Sequence, residues 1–243
     1  MVGEINFACG RCPACARGLR RHCPQRRVMG ILNADGSFAE YVALPTANLH
    51  LVPDSLSDEE AVFTEPLAAA FEILEQVHLQ PADTVVVLGD GKLGLLCAQV
   101  LRLTGAAVCV VGKHPHKLAL AQRFGLTTAL LPSWSPQPAD VVVEATGSTS
   151  GLKLAMDMVR PRGTLVLKST VAEPHHLALA PLVIHEVTVV GSRCGPFPPA
   201  LRALAQRQVI VTPLLDAIYP LAVGADAIAH AARPGALKVL LRP

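Results

Sequence analysis

Thr84-Val85-Val86-Val87-Leu88 is an unbroken run of β-branched and aliphatic residues, and Gly89-Asp90-Gly91-Lys92-Leu93-Gly94 follows it directly. A run without polar alternation belongs to a strand covered on both faces. A strand that enters a G-x-G-x-x-G turn and leaves as a helix is the setting of a dinucleotide-binding unit. Gly89 suits the tight turn, Gly91 lets backbone approach a pyrophosphate, and Gly94 permits close helix–strand packing. With Lys92 and Leu93 they open a helix whose free N–H groups and partial positive charge favour a phosphate.

The rest of the chain alternates in keeping with that unit. Helices are expected over residues 65–78, 92–104, 115–124, 151–159 and 201–207, and strands over 84–88, 107–111, 127–131, 140–145, 164–168 and 187–191. Six strands joined by short crossovers predict an α/β fold with a doubly wound, six-stranded parallel sheet. Residues 1 to about 60 read differently, as turns and short strands, with strands expected over 36–44 and 48–52. The tail reads as strand, helix (223–232) and strand (237–241). The expected division is 1–66, 67–206 and 207–243, the central part being the dinucleotide-binding domain.

Composition removes several function classes. The 243 residues carry 21 basic and 19 acidic side chains, a net charge of +2, so nothing suggests a nucleic-acid or anionic-membrane partner. Hydrophobic residues make up 51% and charged ones 16%, which argues against disorder. The mean hydropathy is +0.41, yet Asp90, Lys92 and Arg102 interrupt the most apolar stretch, so no spanning helix is expected. The first residues lack the basic and apolar regions of a signal peptide, and cytoplasm is the default expectation.

Four of the seven cysteines, Cys9, Cys12, Cys15 and Cys23, are separated by gaps of two, two and seven residues. In a reducing compartment such a cluster reads as a metal site. Four thiolates surround one tetrahedral Zn²⁺ and leave no open position, so the ion would be structural. Arg11, Arg17, Arg20 and Arg21 are expected to offset the charge. The rival is an iron–sulfur cluster, suggested by Cys23-Pro24, although the last gap is seven residues rather than three.

NAD-binding sites usually place Asp or Glu at the end of the second strand, on the ribose 2′-OH. Here that strand ends in Gly112-Lys113-His114. Gly112 leaves room for a 2′-phosphate that Lys113 or His114 would contact, so NADP(H) is expected over NAD(H). The alternative is that Lys113 and His114 are solvated loop residues. Lys168 ends the fifth strand and Arg193 follows the sixth. Ligands bind near such carboxyl ends, so both are candidate cofactor contacts.

The cysteine loop, the glycine turn, a Glu-Pro-Leu-Ala helix start at Glu65 and the returning tail occur together. In these the chain resembles the zinc-dependent medium-chain alcohol dehydrogenase family, particularly its polyol and threonine dehydrogenase branch. The resemblance implies a partial GroES-like β domain bearing a structural zinc lobe. It also implies hydride transfer between a secondary alcohol or polyol and nicotinamide, and a homodimer or homotetramer. Glu144-Ala145-Thr146-Gly147 looks like the family's acid-x-Thr-Gly turn, placing Thr146 at the cofactor. Lys238, in the closing strand, looks like its basic residue near the pyrophosphate. Glu65 sits where this branch has a glutamate at or near the catalytic zinc, as a ligand or as a partner of zinc-bound water. Its position alone also fits a carboxylate on the helix dipole. In the family a preceding stretch carries a cysteine ligand, a His-Glu pair and the proton-relay hydroxyl. The chain lacks these residues, so weak to moderate NADPH binding and poor alcohol turnover are expected. The competing readings are a non-catalytic NADP(H)-binding protein with a structural zinc and, more remotely, an iron–sulfur electron carrier.

Cys97 and Cys109 read as core thiols and Trp134 as a loop anchor. His175-His176, adjacent in sequence, would point to opposite faces of a strand and share no metal.

Overall fold

In the computed structural model residues 1–135, 137–174 and 177–243 are described; the His175-His176 pair lies outside them. The centre is the doubly wound sheet. Its strands are β5 (Thr84–Leu88), β6 (Ala107–Gly112), β7 (Thr127–Leu130), β8 (Ala139–Glu144), β9 (Val159–Leu167) and β10 (Thr188–Gly191). All are parallel, in the order β10-β9-β8-β5-β6-β7. The chain starts the sheet in its middle and reverses direction between β5 and β8, which opens a crevice at their carboxyl ends.

Side-chain alternation divides the apolar surface between the two faces of this sheet. Val85 and Val87 join Val141, Val143 and Val166 in the larger core, under helices α3 (Thr64–Gln76), α4 (Lys92–Arg102), α5 (Pro115–Arg123) and α8 (Phe197–Ala205). Val86 and Leu88 face the other way, against Ala155 and Met158 of α6 (Thr149–Met158), with Trp134 packed at the edge. The observed ends of these elements lie within a few residues of the expected ones, apart from β9, which begins five residues early, and α8, which begins four residues early. Pro198 fits there because its missing N–H falls in the first turn. The short helices α2 (Asp58–Ala61) and α7 (Ala180–Ile184) are among those not anticipated from the sequence. Ser57 caps α2 in a reciprocal box with Glu60.

The amino-terminal lobe holds β1 (Val2–Gly3), β2 (Asn6–Phe7), α1 (Pro13–Ala16), β3 (Arg27–Val28) and β4 (Leu49–His50). β1 pairs with β4 and β2 with β3, both antiparallel. The strand expected over 36–44 does not form. Alternation gives a segment two faces, but a strand also needs a neighbour for its N–H and C=O groups. Among the described residues no strand runs beside 36–44. The segment instead lines an open cleft of about 1220 Å³, with Tyr41 90% exposed. The tail forms β11 (Leu215–Pro220), α9 (Gly224–Ala231) and β12 (Lys238–Arg242), with β11 and β12 parallel.

Asp140 ties the amino ends of β5 and β8. Its Oδ2 accepts from Thr84 N at 2.8 Å and Thr84 Oγ1 at 2.7 Å, and its Oδ1 from Arg160 Nε. These donors, Thr84 foremost, hold the carboxyl down to about 2, below its ordinary 3.8. The stabilisation is present above pH 3.8 and fades as pH falls toward 2. Its side chain is 23% exposed at the sheet's end, and screening holds the gain to about 1 kcal/mol. Asp140→Asn is expected to lower stability by that amount at neutral pH. Acid titrations followed by circular dichroism should show the two proteins converging between pH 4 and 2; parallel curves would contradict this.

Candidate active site

The four cysteines of the loop converge. Pro13 opens α1 between Cys12 and Cys15, and Gly10 and Gly18, with φ of 77° and 79°, turn the chain on either side. The four sulfurs lie within 4.8 Å of one another, with Cys12–Cys15 at 3.5 Å and Cys12–Cys23 at 3.8 Å. A tetrahedral zinc with bonds of about 2.3 Å sets its sulfurs about 3.8 Å apart. The thiols ionise unevenly. The Arg11 N–H holds Cys9 down to about 6, whereas desolvation and the Cys12 sulfur push Cys15 up to about 11. A divalent cation would favour all four thiolates together, so donor set and spacing fit zinc. Arg11, Arg17 and Arg20 are exposed, and Arg21 reaches Glu72 on α3 at 2.9 Å.

The glycine turn lies in the crevice between β5 and β8, and its glycines divide the work as expected. Gly89 has φ of 124°, and a Cβ there would lie 2.5 Å from the Ala145 carbonyl oxygen. Gly91, the N-cap of α4, has nothing within 4 Å of its would-be Cβ, leaving an open approach to the helix N–H groups. Gly94 packs so closely that a Cβ would sit 2.0 Å from the Gly89 oxygen. A diphosphate fits this cradle.

Three charged side chains share the neighbourhood of this turn. Burial pushes Glu65, at the start of α3, above its usual range, against the pull of Lys238, Lys92 and Lys168. Burial lowers Lys92. Lys238 is brought down to about 8 by burial and by Lys92, and its Nζ stands 5.8 Å from the Phe63 ring centroid. A cavity of about 10 Å³ adjoins Glu65, lined also by Asn6, Arg21, Cys194 and Phe197. Asn6 Oδ1 is buried there without a hydrogen-bond partner. Among the described residues the cysteine loop is the one group of three or more His, Cys, Asp or Glu side chains placed to share a metal. A second zinc would have Glu65 without such a group, so the residues present do not fit a catalytic zinc.

The family model for a zinc-binding dehydrogenase matches residues 93–207, and that for an alcohol dehydrogenase GroES-like domain matches residues 1–54. A sorbitol dehydrogenase from Halalkalibacterium halodurans is 32% identical over 100% of this chain and 76% of its own length. The chain belongs to the zinc-dependent medium-chain dehydrogenase family. Two solved structures superpose on it closely. A zinc-binding dehydrogenase from Sinorhizobium meliloti 1021, bound to NADP, is 28% identical with a TM-score of 0.91, covering 100% of this chain and 76% of that one. An alcohol dehydrogenase from Escherichia coli CFT073, complexed with NADH, is 26% identical with a TM-score of 0.90, covering 99% and 76%.

In this medium-chain dehydrogenase several candidate residues take positions their sequence did not disclose. Lys168 is buried, and its Nζ donates to Ala69 O at 2.7 Å and Ser192 Oγ at 3.2 Å, bracing α3 against the loop after β10 instead of facing the crevice. Arg193 turns toward the cysteine lobe, donating to Arg21 O at 3.0 Å. Thr146 stays at the crevice rim. Its N–H and Oγ1 donate to Glu144 Oε1 at 2.8 and 2.6 Å, which fixes the turn. Cys97 is buried and pushed up to about 11 by desolvation, while Cys109 is half-buried.

The residue that sequence reading passed over is Asp90. Its carboxylate accepts from Lys113 N at 2.8 Å, His114 N at 2.7 Å and His114 Nδ1 at 2.9 Å. This side chain packs against Gly112, where a Cβ would lie 2.3 Å from Asp90 Oδ2. The signal was an acidic residue inside the glycine turn paired with a glycine at the end of the second strand.

Proposed function

We propose that this chain is a nicotinamide-dependent oxidoreductase acting on a secondary alcohol of a polyol. The observation that carries the reading is the open cradle at Gly91 in the sheet crevice, and the sorbitol dehydrogenase relative supports the substrate class. When bound, the coenzyme supplies or accepts hydride. Gly91 and the first turn of α4 receive the diphosphate, and the ammonium groups of Lys92 and Lys238 add positive charge. Leu93 completes the first turn, and Thr146 holds the rim in shape. Glu65, desolvated, keeps a proton to higher pH than a surface glutamate and serves as the proton-handling carboxylate. The cysteine lobe binds zinc for structure. Among the described residues no helix is long and apolar enough to cross a membrane. Self-association as a dimer or tetramer uses the free edge at β10, where Val189 is 43% exposed.

A second reading, coenzyme binding without turnover, is favoured by the lack of a second three-ligand group among the described residues. Calorimetric titration with NADH and NADPH, followed by assays with sorbitol and xylitol in added zinc, separates the two. One coenzyme site per chain with slow polyol oxidation is expected. Binding without any oxidation leaves the second reading, and absence of heat from both coenzymes overturns both.

A further inference from the structure

We propose that Asp90 is the residue by which this protein selects its coenzyme, and that it selects NAD(H). The inference rests on the coenzyme reading above and deepens it. Dinucleotide folds place a carboxylate at the end of the second strand because it accepts from the ribose 2′-OH and repels a 2′-phosphate. Here β6 ends in Gly112, which has no side chain. A Cβ built on Gly112 would lie 2.3 Å from Asp90 Oδ2 and 2.5 Å from Asp90 Cβ. The Asp90 carboxylate therefore occupies the space that a side chain at Gly112 would enter.

Its surroundings hold it there. Asp90 is 6% exposed. Oδ2 takes the backbone N–H groups of Lys113 and His114, and the His114 ring binds Oδ1 at 2.9 Å and Oδ2 at 3.1 Å. His114 is the N-cap of α5, so these are the backbone donors that an anionic phosphate at that helix start would need. A 2′-phosphate arriving here meets a buried negative charge and donors already engaged. A ribose hydroxyl meets a carboxylate with acceptor capacity to spare, since two oxygens offer about four lone-pair sites. Lys113 and His114 give their backbone N–H groups to Asp90, and His114 its ring nitrogen as well, while the Lys113 side chain is exposed.

The test measures dissociation constants for NADH and NADPH by coenzyme fluorescence, in wild type and Asp90→Ser. Wild type is expected to prefer NADH by at least about tenfold, the scale of a like-charge juxtaposition in a desolvated contact. Asp90→Ser removes the charge and releases both backbone donors, so the preference is expected to fall within about threefold or to invert. A third arm needs no variant: 5′-AMP is expected to displace NADH from wild type at least about tenfold more effectively than 2′,5′-ADP. If the serine variant does not fold, Asp90→Asn, which keeps the shape and removes the charge, takes its place with the same expected loss of preference. Equal or better binding of NADPH by wild type, or of 2′,5′-ADP, overturns the selection and leaves the coenzyme site standing. A preference for NADH that Asp90→Ser does not change overturns the assignment to Asp90. Failure of either coenzyme to bind overturns this proposal and the coenzyme reading together.

Discussion

Gly94→Ala is expected to weaken coenzyme binding by about ten- to a hundredfold, because hydrogen bonds to a charged phosphate contribute about 1.5–3 kcal/mol each. The added methyl would lie 2.0 Å from the Gly89 oxygen and 3.0 Å from the Gly89 carbon. Neither can give way. Gly89 is held by its N–H to Val111 O at 2.8 Å and is already pressed against Ala145. Helix α4 must therefore retreat, carrying its N–H groups from the phosphate position and loosening Leu95 and Leu96, both fully buried. Overpacking of this kind costs about 1–3 kcal/mol of stability. Gly91→Ala is the control. Its methyl meets no protein atom within 4 Å, so urea unfolding should match wild type while coenzyme affinity falls, because the methyl stands in the approach. Paired fluorescence titrations and urea midpoints check both. Wild-type affinity in Gly94→Ala would show that no coenzyme rests on this helix.

Cys23→Ser should eliminate the bound zinc and the order of the lobe around it. Between residues 8 and 27 Cys23 is the sole fully buried side chain, so the segment has almost no apolar core of its own. Its fixed structure must come from the metal, and structural zinc in small domains contributes about 10–16 kcal/mol of apparent binding energy at neutral pH. Atomic emission should find one zinc and no iron per wild-type chain, and less than about a tenth of that in the variant. Trypsin should cut the variant after Arg11, Arg17 and Arg20 at least about tenfold faster, as exposed loop arginines become exposed arginines in an unstructured segment. The parallel sheet should keep most of its circular dichroism signal. Wild-type protein that is free of zinc and equally resistant to trypsin would refute a structural metal.

The doubly wound sheet was legible because each of its central strands is a continuous aliphatic run followed by a helix with its own start signal. The three glycines were legible for the same reason: spacing fixes their places on one turn. What escaped was non-local. Residues 36–44 carry a strand's alternation, but alternation cannot say whether a partner strand lies alongside. Asp90 and His114 are 24 positions apart, and the only hint of their contact is the pairing of an acidic residue in the glycine turn with a glycine at the end of the second strand. Lys168 was partly readable. It falls two residues after Val166, which is fully buried, so the period of a strand already turned it inward. Its cationic end drew attention to the crevice, and the buried carbonyl of Ala69 that satisfies it lies 99 residues away. The capping box at Ser57 and Glu60 was present in the sequence and marks α2.

Arg193 links the cysteine lobe to the far end of the sheet. Its guanidinium rests on the Arg21 carbonyl, Arg21 is paired with Glu72, and the neighbouring Cys194 accepts from Asn6 Nδ2 at 3.4 Å. Arg21 lies two residues before Cys23, so loss of zinc slackens the loop that follows β10 without touching the glycine turn. Two preparations of identical sequence but different zinc loading will therefore differ in the order of the cysteine lobe and of the loop after β10, while their affinity for coenzyme stays the same.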